Sequence, residues 1–186
     1  MSKLHISDDL SLPIDAVTQK FSILGRTGSG KSYCATKLCE EMLDAKAQVI
    51  ALDPVGVWYG LRVGGQRDVA SSSYEIPIFG GLHGDVPLEP AAGEFIANLI
   101  VDRGISAVLD VSQFESDAQK ARFAKDFATR FFFRKKSSPS AVHLFLEEAQ
   151  EFVPQNPQRD EALMLHAFHR IAKLGRNFGI GATLIT

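Results

Sequence analysis

The chain is short of cysteine, short of tryptophan and without an excess of either charge. It holds two cysteines and one tryptophan among 186 residues, and 20 Lys and Arg stand against 22 Asp and Glu, a net charge of −2. Two cysteines cannot staple a fold of this size, so a packed core must hold it, and 45% hydrophobic residues suffice for one. Cys34 and Cys39 fall on one predicted helix at positions that do not face each other, and they read as reduced core residues. The near-neutral balance excludes a generally basic nucleic-acid coat, which leaves any DNA contact to a local patch. No apolar run reaches the about 20 residues of a membrane-spanning helix. The opening Met1-Ser2-Lys3-Leu4-His5 lacks the apolar segment of a signal peptide, and a cytoplasmic protein without membrane contact is expected.

What the sequence does contain is a complete phosphate-binding loop. Gly25-Arg26-Thr27-Gly28-Ser29-Gly30-Lys31-Ser32 follows the pattern G-x-x-x-x-G-K-S. The apolar run Phe21-Ser22-Ile23-Leu24 leads into it, and Cys34, Ala35, Leu38, Cys39 and Met42 recur behind it at helical spacing. In that context, backbone N–H groups of the loop and the positive end of the helix hold phosphates. Residues Gly25 to Tyr33 are the expected nucleotide-binding stretch, with Lys31 reaching the β- and γ-phosphates of ATP and the Ser32 hydroxyl a ligand for Mg²⁺. Arg26 points to solvent or to a neighbour rather than to the chemistry. A Rossmann dinucleotide site is disfavoured, because Tyr33 stands where its third glycine is needed.

Along the chain, apolar runs alternate with helical patterns. The runs are Phe21–Leu24, Val49–Leu52, Ile76–Phe79, Ala107–Val111, Val142–Leu146 and Ile180–Ile185. Helical periodicity covers Lys31–Ala45, Pro90–Asp102, Asp117–Lys135 and Arg159–Leu174, the third with a stripe of Ala124, Phe127, Ala128 and Phe131. With the phosphate loop, this predicts an α/β fold of the P-loop NTPase kind, with a mainly parallel central sheet flanked by helices. One domain spans 1–186, with residues 1–20 a short β-type lead-in in which Pro13 marks a turn. The segment Asp53 to Gly84, with two Gly-Gly pairs and Ser71-Ser72-Ser73, reads as a long loop holding a short strand.

Hydrolysis needs one acid beside the metal and usually a second that polarises water. Val142-His143-Leu144-Phe145-Leu146-Glu147-Glu148 is an apolar strand ending in two carboxylates, at the end where open α/β sheets bind ligands. Glu147 is assigned to the metal and Glu148 to the water. Asp110, closing Ala107-Val108-Leu109-Asp110, is a rival for the metal, and the choice between the two stays open. Asp53, before Pro54, either joins the site or caps its turn.

Together these stretches resemble the HerA/FtsK group of P-loop ATPases, HerA-type helicase-like proteins most closely. The resemblance rests on the phosphate loop, on Val49-Ile50-Ala51-Leu52-Asp53-Pro54, on Leu146-Glu147-Glu148-Ala149-Gln150 and on Leu174-Gly175-Arg176-Asn177-Phe178-Gly179 leading into the last run. It implies a RecA/ASCE-like fold and a DNA-dependent ATPase, the motor core of a helicase or translocase that assembles as a homo-oligomeric, hexameric ring on double-stranded DNA, often beside a nuclease. It implies that Lys31 and Ser32 bind phosphates and Mg²⁺, that Glu147 is the Walker B acid and Glu148 the catalytic base. Arg176 matches the arginine finger that reaches a neighbouring subunit's nucleotide; as a residue in isolation it is equally a cation near a helix carboxyl end. The chain departs from the family in placing Glu147 where Asp is usual and in ending, at Thr186, before the family's C-terminal elements. An ATP-dependent regulatory or assembly module that scarcely hydrolyses is the alternative.

Three further features are weaker. Arg130, Arg134, Lys135 and Lys136 around Phe131-Phe132-Phe133 either touch DNA or form the cationic end of a helix. His166 and His169 share a helix face without the further ligands a zinc site needs. Trp58-Tyr59 either stacks on an adenine or a neighbouring subunit, or packs beneath the long loop.

Overall fold

Strands that are apolar along their whole length can be buried on both faces, and here they are. The computed structural model describes residues 3–63 and 74–186. In chain order its elements are β1 (Lys3–Ser7), β2 (Leu10–Pro13), β3 (Lys20–Ile23), α1 (Lys31–Asp44), β4 (Gln48–Asp53), β5 (Ile78–Gly80), α2 (Gly93–Arg103), β6 (Ala107–Asp110), α3 (Asp117–Ser137), β7 (Val142–Leu146), α4 (Arg159–Leu174) and β8 (Ile180–Ile185). Short 3₁₀ turns at Ile14–Thr18, Trp58–Arg62, Ala149–Glu151 and Gly175–Phe178 join them. Six strands pair in the order β3-β8-β7-β4-β6-β5, every pair parallel. The chain therefore has an α/β fold with a parallel six-stranded sheet flanked by helices. β8 lies between the strand that feeds the phosphate loop and the strand that ends in Glu147.

Alternation along each strand divides the core in two. On one face Ile50, Leu52, Leu109, Leu144 and Leu146 meet α2, α3 and α4. On the other, Val49, Ala51, Val108 and Phe145 meet α1, Trp58 and the β1–β2 hairpin. Phe123, Phe127 and Phe131 of α3 stack at 6.1 and 5.5 Å between centroids and are fully buried, as the apolar stripe requires. Each contributes about 1.5–3 kcal/mol through burial. Ser116 caps this helix by accepting the Gln119 N–H at 3.3 Å.

The lead-in is built of two strands. It is a hairpin whose turn falls at Asp8-Asp9, while Pro13 is the last residue of β2 and precedes a 3₁₀ turn. The hairpin grips α1: the His5 N–H donates to Glu41 Oε2 at 2.7 Å. Further along, Tyr74 O–H donates to Asp44 Oδ1 at 2.9 Å. Behind the hairpin, His143 of β7 bonds the Val17 carbonyl through Nδ1 at 2.8 Å and Thr183 Oγ1 through Nε2 at 2.7 Å. A carbonyl only accepts, so Nδ1 carries the proton and Nε2 accepts from the threonine hydroxyl. Gly181 leaves room for this contact, since a Cβ there would lie 2.1 Å from the Val17 oxygen.

Smaller differences have local causes. β5 begins at Ile78 rather than at Ile76, because Pro77 has no N–H for the ladder. Cys39 is buried but Cys34 is exposed on the outer side of α1, so only one cysteine belongs to the core; both are free thiols. Burial pushes the Cys39 thiol far above its usual range. Gly64-Gly65 and Ser71-Ser72-Ser73 lie outside the described residues. No helix among the described residues is long and apolar enough to cross a membrane.

Candidate functional site at the phosphate loop

β3 ends at Ile23, and the chain then turns through exposed residues into α1. The loop is moored to β8: the Gly25 N–H donates to the Thr186 carbonyl at 3.2 Å and the Thr186 N–H to that of Ile23 at 3.1 Å. Gly28 and Gly30 adopt φ of 78° and 88°, a region that a side chain would disfavour. A turn closes from Ser29 N–H to the Arg26 carbonyl at 3.0 Å, and α1 starts with Cys34 N–H on Gly30 at 3.0 Å. No side chain caps α1 and no acid sits in its first turn, so its leading N–H groups and positive end face the loop. Lys31 folds back so that Nζ donates to the Gly25 carbonyl at 2.9 Å. Arg26, Thr27 and Ser29 are exposed with the glycines, and so is Tyr33.

Ser32 meets the end of β7. Its hydroxyl donates to Glu147 Oε1 at 2.8 Å. The second carboxylate oxygen, Oε2, accepts the Trp58 indole N–H at 3.0 Å, and Glu147 is almost wholly buried. A hydroxyl and a carboxylate side by side are hard oxygen donors of the kind Mg²⁺ takes, one or two from the protein and the rest from phosphates and water. The pair therefore fits that ion. Asp110, its rival, is turned to other work: Oδ1 accepts the Ser112 N–H at 2.9 Å, and Oδ2 lies against Gly81, where a Cβ would be 1.8 Å away. It pairs in register with Asp53, one strand beyond β7's neighbour. The structure thus brings Glu147, and not Asp110, to Ser32.

Asp53 holds a turn. Its Oδ1 accepts N–H groups of Val55 and Gly56 at 3.0 and 2.8 Å, and its Oδ2 that of Trp58 at 2.7 Å. Burial raises its carboxyl above the ordinary range even against those three donors. The sequence reading missed that this turn delivers Trp58 to Glu147. The pattern Asp-Pro-Val-Gly signals the turn, but nothing local signals the partner.

Glu148 follows at φ 43° and ψ 60°, a left-handed conformation uncommon for a residue with a side chain. Its Oε2 accepts the Gln150 amide at 2.6 Å, and the Gln150 carbonyl oxygen accepts the Thr186 hydroxyl at 2.7 Å. Gln150, named in the sequence only as part of a motif, therefore ties Glu148 to the residue that moors the phosphate loop.

Arg176 lies in the 3₁₀ turn after α4, exposed, with no side-chain hydrogen bond or ion pair to any described residue. The other basic residues are largely engaged. Arg130 donates to Asn98 at 2.8 Å, Arg134 pairs with Asp102, and buried Lys135 donates to Ser140. The two arginines form a seam between α2 and α3, Lys135 ties the end of α3 to the loop that follows it, and only Lys136 of the four is free on the surface. Burial lowers the Lys135 pKa to about 8. Trp58 is buried against Phe145 and Tyr59 stacks on His83 at 3.9 Å, so both pack within the chain. Among the described residues no group of three or more His, Cys, Asp and Glu is gathered to hold a metal, His166 and His169 included.

Residues 2–79 match the family model described as the central domain of helicase HerA. No curated protein matches the sequence. Among solved structures, the chain is similar to the pCW3 conjugation coupling protein TcpA, a monomer form with ATPγS, at 15% identity and a TM-score of 0.48 over 97% of this chain and 45% of that one. It is also similar to the genome packaging NTPase B204 from Sulfolobus turreted icosahedral virus 2, in complex with sulfate, at 16% identity and a TM-score of 0.46 over 91% and 65%. The chain spans less than two thirds of either.

Proposed function

We propose, from the match of residues 2–79 to the HerA central-domain model and from the phosphate loop set beside a parallel sheet, that the chain binds ATP with Mg²⁺ and hydrolyses it as the motor core of a DNA translocase. The observation that carries this is the Ser32–Glu147 hydrogen bond, which sets a metal-side acid beside the phosphate loop with a second carboxylate, Glu148, next in sequence. In this reading residues Gly25 to Tyr33 bind the nucleotide, with backbone N–H groups and Lys31 on the phosphates. Ser32 and Glu147 would hold Mg²⁺, which when bound would supply charge neutralisation for the phosphates. Glu148 takes a proton from the attacking water. Arg176, exposed and uncommitted, serves a neighbouring copy's nucleotide, which makes the active form a homo-oligomer, a hexameric ring in the cytoplasm. Double-stranded DNA is the substrate track and a nuclease the associated partner, both by resemblance.

Steady-state hydrolysis with and without double-stranded DNA tests it. Turnover is expected to rise with DNA and to fall about 10²–10⁴-fold in Glu148→Gln. In Arg176→Ala it falls about 10³–10⁵-fold with binding kept. Tight ATP binding with no turnover under either condition favours the regulatory or assembly module instead.

A further inference from the structure

Trp58 is the only tryptophan of the chain, and its side chain is buried where an aromatic was expected to stack on an adenine or a neighbouring subunit, or to pack. Its indole N–H instead reaches 89 residues along the sequence to Glu147. Glutamate carries three rotatable bonds, so a carboxylate at the end of a strand can sweep a wide arc unless both oxygens are held. Here each has its own donor: Ser32 O–H on Oε1 and Trp58 N–H on Oε2.

The two donors differ in kind. Ser32 sits on the exposed start of α1, and its hydroxyl turns freely to any ion that arrives. Trp58 cannot turn. Its backbone N–H is fixed on Asp53 at 2.7 Å, its ring lies on Phe145 of β7 at 5.2 Å between centroids, and in the turn that carries it Asp53 also accepts from Val55 and Gly56. Gly56 allows that turn at φ 84°, with Ser112 Oγ 3.0 Å from where a Cβ would stand.

We infer that Trp58 is a positioning residue for the metal-side acid: its indole N–H pins one oxygen of Glu147 so that the other stays aimed at the Ser32 hydroxyl and the ion it would share. Asp53 acts one step further back, by fixing the turn that aims the indole. The inference rests on the reading of Glu147 as the metal-side acid. Groups that orient a metal ligand in this way govern affinity for the ion strongly, about 10–100-fold when removed. Because the chain has no other tryptophan, its emission reports on this one carboxylate.

The test measures binding of a non-hydrolysable ATP analogue by calorimetry, with Mg²⁺ and with EDTA, in wild type, Trp58→Phe and Glu147→Ala. Trp58→Phe is expected to weaken the Mg²⁺-dependent part of binding about tenfold and to leave binding in EDTA unchanged. In wild type, adding Mg²⁺ to the nucleotide-bound protein should shift the tryptophan emission, and Glu147→Ala should abolish that shift. Equal Mg²⁺ dependence in Trp58→Phe and wild type, with Glu147→Ala impaired, overturns the positioning role alone. Unimpaired Glu147→Ala overturns the assignment of Glu147 and the inference with it. If Trp58→Phe does not fold, benzothienylalanine at position 58 keeps the ring shape and replaces the N–H with sulfur, and the same two outcomes apply.

Discussion

Ser32 and Glu147 stand 115 residues apart in sequence and 2.8 Å apart as hydroxyl and carboxylate oxygen. A hydrogen bond to a charged group contributes about 1.5–3 kcal/mol, less where solvent reaches it as it reaches Ser32. Ser32→Ala should therefore lower stability by about 1 kcal/mol in denaturant melts. It should also weaken Mg²⁺-dependent ATP binding about 10–100-fold. Binding that responds to Mg²⁺ as in wild type would take Ser32 off the metal.

Glu148 holds its left-handed backbone while its carboxylate is tied to Gln150. That conformation costs a residue with a Cβ about 1–2 kcal/mol, part of which glycine recovers after its own entropy loss. Glu148→Gly is expected to raise the melting temperature by about 2 °C. Hydrolysis should fall about 10²–10⁴-fold in the same variant. A lower melting temperature would show that the side chain's bond to Gln150 outweighs the strain.

His143 couples stability to acid. Burial holds its pKa down to about 4, from an ordinary 6.5, and outweighs the Val17 carbonyl, which by accepting from Nδ1 favours the protonated ring. The folded state binds the proton more weakly than the unfolded one. Its stabilisation is complete above pH 6.5 and lost as pH falls from there through 4, a total of about 3 kcal/mol. Urea melts across that window, with the His143 imidazole followed by NMR, check it; a ring that titrates near 6.5 refutes it.

Gly181 has no room for a methyl group. A Cβ would press on the carbonyl oxygens of Val17 and Gln19 at 2.1 and 2.7 Å and on His143 Nδ1 at 2.7 Å. Backbone atoms cannot step aside as a flexible side chain does. Gly181→Ala should cost about 1–3 kcal/mol, or about 2–10 °C in melting temperature, with nucleotide binding retained in what folds. An unshifted melting curve would mean that the lead-in moves away at no cost.

Elements were legible where periodicity was long or the run continuous: β7, β8 and α4 were read to the residue, and the stripe of α3 is buried as spaced. The apolar spacing on α1 was broader than the face that packs, so Cys34 fell on the wrong side. The phosphate loop announces itself because its function needs consecutive residues. The contacts from Trp58 to Glu147 and from Gln150 to Thr186 do not, since each joins separate strand ends that only the sheet order brings together. The choice between Asp110 and Glu147 was undecidable for the same reason: both end apolar strands, and only the neighbour of β8 faces Ser32.

The hairpin's hold on Glu41, and that of Tyr74 on Asp44, fasten the far end of α1. Its near end carries the loop. A helix bolted at one end behaves as a fixed arm, so adjustment to arriving phosphates falls to the two left-handed glycines, Gly28 and Gly30, at its tip. The helix thereby keeps its leading N–H groups at one place against the sheet, and the backbone freedom of the grip lies in those two glycines.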